Sequence, residues 1–96
     1  MLFDYKQFRQ KYEDPTLEFF NELLPPTKDL FHKSLPLLEK AYIENDKKEW
    51  KNLKKALRIL GKCMFIPGLY KIGNCTLEEY NRIEEILTSI LEEGNL

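Results

Sequence analysis

Between Trp50 and Gly68 the apolar positions recur at helical spacing and fall into two neighbouring rows. Trp50, Leu53, Leu57, Leu60 and Met64 make one row, and Ala56, Ile59, Cys63 and Ile66 make the second. Lys51, Asn52, Lys54, Lys55, Arg58 and Lys62 occupy what remains of the circumference. A stripe this broad exceeds the one-sided face of an ordinary surface helix. It predicts a helix that is either the centre of a bundle or leaves an apolar strip open to a partner.

The rest of the chain reads as helix around it. Asp4 is placed to cap a short first helix whose apolar edge is Tyr5, Phe8 and Tyr12, with Phe3 in front. Asp14-Pro15 has the form of an N-cap followed by proline at the first helical position. Leu17, Phe19, Phe20, Leu23 and Leu24 continue from there. Pro25-Pro26 removes two backbone donors in succession, so a break or strong kink is expected. Thr27 would recap a second piece reaching Glu44, carrying Leu30, Phe31, Leu35, Leu37, Leu38, Ala41 and Tyr42, and bent at Pro36. In the turn Glu44-Asn45-Asp46, Asn45 suits a left-handed residue and Asp46 the next N-cap.

The central helix is expected over Lys47–Phe65, stopped by Pro67-Gly68. Leu69–Cys75 reads as a loop with a Gly73-Asn74 turn. Thr76 to Glu79 fits a capping box that opens a last helix ending at Gly94. That helix turns Leu77, Tyr80, Ile83, Ile86, Leu87, Ile90 and Leu91 inward and a row of glutamates to water. The predicted fold is all-α: one domain over 1–96, an antiparallel up-and-down bundle with a short N-terminal helix and three longer ones, the second kinked at Pro25-Pro26.

Composition narrows the function classes. The 96 residues are 43% apolar and 32% charged, as in ordinary helical proteins. Fifteen basic against 16 acidic side chains give a net charge of −1, which provides no overall basic surplus for nucleic acid or an anionic membrane. No apolar run has the length of a membrane span. The start M-L-F-D-Y-K lacks the uninterrupted apolar core of a signal peptide, so a cytoplasmic protein is expected. Cys63 and Cys75 are too few for a disulfide scaffold; Cys63 is expected buried and Cys75 semi-exposed. His32 is the one imidazole, and no triad, zinc, calcium or phosphate-loop spacing surrounds it. Neither a metal nor another cofactor is called for, and a non-enzymatic role is expected.

From Phe3 to Gly68 the order of landmarks resembles a histidine-containing phosphotransfer domain of the two-component phosphorelay. The similar pieces are Phe3-Asp4-x-x-x-Phe8, the helix entry Asp14–Leu17 and Phe31-x-x-x-Leu35-Pro36-x-Leu38. They continue with the turn Asn45-Asp46 and Trp50-x-x-Leu53-x-x-Ala56. The family's A-H-x-L-K-G-S signature falls on Ala56-Leu57-Arg58-Ile59-Leu60-Gly61-Lys62. The phospho-accepting histidine is thus Leu57 and the supporting lysine Leu60, and leucine cannot accept a phosphoryl group.

The resemblance therefore implies a non-catalytic interaction module that docks a receiver or kinase domain. Its contact strip would be Leu57, Leu60 and Gly61, ringed by Lys54, Arg58 and Lys62. Two other readings stand beside it: a small immunity or inhibitor protein, and a structural domain that forms a homodimer through the central stripe.

Overall fold

The computed structural model describes residues 2–93. Among these residues are four α-helices, one 3₁₀ turn and no strand: α1 (Tyr5–Tyr12), α2 (Glu18–Ile43), α3 (Lys47–Met64), the turn Pro67–Leu69 and α4 (Leu77–Leu91). The all-α bundle is as expected. Its hub, however, is α2 rather than α3. α2 packs against α3 on one side and α4 on the other, while the 3₁₀ turn fills the gap between those two. The inner face of α2 is Phe20, Leu24, Thr27, Phe31, Leu38 and Ala41, all buried. Leu53, Leu57 and Met64 of α3 and Ile83, Leu87 and Ile90 of α4 complete the core.

The entry to α2 differs from the reading of Asp14-Pro15 as N-cap and first helical residue. The helix starts only at Glu18, after Leu17 has taken a left-handed conformation with φ 59°. Asp14 nonetheless serves it from outside. Its buried carboxylate accepts from the Phe19 and Phe20 amides at 3.1 and 3.0 Å, satisfying two of the donors that every helix start leaves unpaired. Burial of the Leu17 side chain offsets the strain of a left-handed leucine.

The expected break at Pro25-Pro26 does not occur, for α2 continues through both and through Pro36. All three prolines are exposed, so water can stand in for the missing donors. Leu24 and Thr27 on either side are locked into one core, and the Thr27 hydroxyl donates to the Leu23 carbonyl at 2.8 Å. Burying both halves of the helix on one core outweighs the local preference to break.

Other boundaries follow the expected chemistry. Asp4, Asp46 and Thr76 accept from the amides of Gln7, Glu49 and Glu79. Asn45 is left-handed at φ 49°. α3 ends one residue early because Phe65 is left-handed and caps it through Gly61. The carbonyl of Phe65 then accepts from the Asp4 amide at 2.7 Å, tying the start of the chain to the end of α3. Gly94, the expected end of the last helix, lies outside the described residues.

Only one of the two apolar rows of α3 is internal. Trp50, Leu53, Leu57 and Met64 are buried, whereas Ala56, Ile59 and Cys63 face solvent, which corrects the expectation of a buried Cys63. Neighbours occupy one side of α3 and none of the four helices covers the other. Leu77 is also outside, at 57% exposure, because it sits at the first residue of α4 ahead of the packed turns. Leu57→Ala should therefore cost roughly 2–4 kcal/mol by leaving a cavity, and Ile59→Ala less than about 0.5 kcal/mol. Urea unfolding of the two variants checks this contrast.

Candidate functional site

The helical phase that puts Leu57 inside decides the fate of the expected docking strip. Leu57 is 1% exposed, sealed in the core of its own chain. Leu60 is half-buried and packs on the same core. Gly61 is buried because the 3₁₀ turn lies directly on it. A β-carbon at Gly61 would come within 2.7 Å of the Leu69 β-carbon, so its lack of a side chain serves an internal contact and not a partner's approach. A partner cannot dock on Leu57, and the expected strip is corrected to that extent. Lys62 is exposed, whereas Lys54 and Arg58 are half-buried and enter a different arrangement.

That arrangement is a groove of about 740 Å³ along the polar edge of α3, lined by Lys47, Trp50, Lys51, Lys54, Lys55, Arg58, Asn74 and Cys75. Five cations come from one helix at positions that share a face. The opposite wall is Asn74 and Cys75, from the segment leading into α4. A second groove of about 510 Å³ shares Lys54 and Arg58 and adds Lys71 and Arg82. Among the described residues the one ion pair joins Glu79 and Arg82, so Lys47, Lys51, Lys55 and Arg58 have no carboxylate partner within 4 Å.

The wall is held by a set of side-chain-to-backbone bonds. The Trp50 indole N–H donates to the Gly73 carbonyl at 3.0 Å, and Arg58 Nε donates to the Tyr70 carbonyl at 3.2 Å. From the α4 side, Arg82 donates to the carbonyls of Gly68 and Lys71, each at 2.7 Å. Arg82 Nε also pairs with Glu79, whose second oxygen accepts from the Gly73 amide. The capping box is therefore half formed: the Thr76 hydroxyl caps the helix, but the glutamate that would return the bond is turned to Gly73 and Arg82. Trp50, expected simply as core, is also an anchor for the wall.

The Arg82 hydrogen bond leads the influences that hold the Glu79 carboxyl below its ordinary value of 4.5. The Gly73 amide and the charges of Arg82 and Lys54 act in the same direction, and partial burial opposes them. The other chemistry-bearing residues are dispersed. His32 is exposed on α2, and both cysteines are free, Cys63 on the surface and Cys75 half-buried in the groove. No cluster of three or more metal-ligating side chains occurs among the described residues, and none of their helices is long and apolar enough to cross a membrane. The chain matches no known protein family, no curated protein and no solved structure.

A carboxyl whose folded value is lowered contributes stability that is full above about 4.5 and fades as pH falls through the lowered folded value. Glu79→Gln should thus cost about 1 kcal/mol at pH 7. The difference from the unaltered protein should close in acid, where both carry a neutral side chain. Thermal melts at the two pH values measure it.

Proposed function

We propose that the protein is a non-catalytic interaction module that docks an acidic segment of a partner protein in the groove along α3. The observation that carries this reading is the gathering of Lys47, Lys51, Lys54, Lys55 and Arg58 on one wall, none of them in an ion pair among the described residues. Desolvating a lysine costs free energy unless an anion meets it, so an unpaired row of this kind favours a ligand bearing several carboxylates. Trp50, Cys75 and the alkyl stems of the lysines give the groove an apolar floor, which suits a peptide chain better than a bare anion.

A receiver or kinase domain, the partner implied by the phosphotransfer resemblance, would engage this groove through an acidic surface and not through a contact centred on Leu57. The two free thiols fit a reducing compartment such as the cytoplasm.

The test is fluorescence polarisation with a labelled glutamate-rich peptide and with isolated receiver domains, against a single-stranded oligonucleotide of equal charge. Binding of an acidic polypeptide should weaken with salt. Lys51→Glu with Lys55→Glu should lower affinity roughly tenfold or more, equivalent to about 1.4 kcal/mol, while Ile59→Ala leaves it unchanged. Failure of every acidic polypeptide to bind, indifference to the charge reversals, or tighter binding of the oligonucleotide would each defeat the reading.

A further inference from the structure

One flank of α2, beside its buried face, carries an apolar strip that is exposed except at the half-buried Leu23. Phe19, Leu23, Pro26, Leu30 and Leu37 fall within roughly a 60° sector at 3.6 residues per turn. Leu30 and Leu37 are 47% and 46% exposed although neither borders the basic groove. α3 extends this surface with its own open row, Ala56, Ile59 and Cys63. The two are joined at one end by Tyr12, whose ring lies 5.3 Å from that of Phe19 and whose hydroxyl donates to the Cys63 carbonyl at 2.9 Å.

The charges flanking the α2 strip identify its occupant. Glu22, Asp29, Lys33 and Lys40 follow one another along the same edge, all exposed and none ion-paired among the described residues. The first two are acidic and the last two basic. Glu22 and Lys40 are equidistant from position 31, and so are Asp29 and Lys33. Leu23 and Leu37 are symmetric about Leu30, a centre one residue, about 1.5 Å, away. A second α2 laid antiparallel, with a two-fold axis level with position 31, would set Glu22 opposite Lys40 and Asp29 opposite Lys33 and bring Leu23 within about 3 Å of register with Leu37.

A foreign acidic helix would meet Glu22 and Asp29, and a basic one Lys33 and Lys40; a copy of the same helix satisfies all four. This is the self-complementarity that an isologous interface requires. A 26-residue helix is about 39 Å long. A stable dimer buries about 800 Å² on each copy, and the strip together with the α3 row is the apolar surface available for it. We propose that the chain forms a two-fold homodimer through this flank of α2, antiparallel and centred near positions 30 and 31, leaving the basic groove free on each copy.

Sedimentation equilibrium over a concentration series tests this. The expected mass is twice the 11.5 kDa of the monomer. Leu30→Lys, at an exposed site, should return the protein to a monomer of unchanged helicity by circular dichroism. Glu22→Lys and Lys40→Glu should each weaken association about tenfold, and the two together should restore it. A wild-type protein that stays monomeric throughout the series overturns the proposal. So does a dimer indifferent to Leu30→Lys, or one that the double charge swap does not rescue.

Discussion

The inner face of α2 is the constraint on which the other elements depend. Phe20, Leu24, Thr27, Phe31, Leu38 and Ala41 must be covered from two sides at once, and neither α3 nor α4 alone is wide enough to cover them. Phe20 extends the same contact to the start of the chain, with its ring 5.2 Å from Phe8 and 5.0 Å from Phe3, each edge-on. Once α2 is clasped in this way, the rotation of α3 about its axis is settled: Leu53, Leu57 and Met64 go in and the lysines are left outside. The basic groove is a by-product of that rotation, since the residues that cannot be buried come out on one edge.

Local rules that concern a single side chain and its nearest amides proved the most readable in the sequence. Asp4, Asp46 and Thr76 cap their helices, and Asn45 takes the left-handed turn position. Each involves atoms within a few residues, so spacing suffices. The break allowed for at Pro25-Pro26 does not occur, because two missing hydrogen bonds weigh less than the burial of Leu24 and Thr27 on either side. Cys63 misled for a related reason. Apolar spacing shows that a face could be buried, and only the placement of neighbours shows whether it is.

The candidate site was half legible. Lys54 and Arg58 were named among residues expected to face a partner, but for a strip whose centre, Leu57, is interior. The wall supplied by Asn74 and Cys75 could not be seen, because it arrives from about twenty residues further along and depends on Arg82, further still. A net charge of −1 also concealed the groove, since it averages a lysine-rich α3 against a glutamate-rich α4. What matters to a ligand is the separation of the two signs in space, and a whole-chain total erases that separation.

The brace at Gly73 carries one more consequence. Its carbonyl is taken by the Trp50 indole and its amide by Glu79, while Arg58 and Arg82 grip the carbonyls just before it. A segment short of regular structure is thereby held at several backbone atoms. A chain docking in the groove, as proposed, would find the cleft already shaped and lose little disorder in closing on it, so fit and charge, rather than loop rearrangement, would discriminate between ligands.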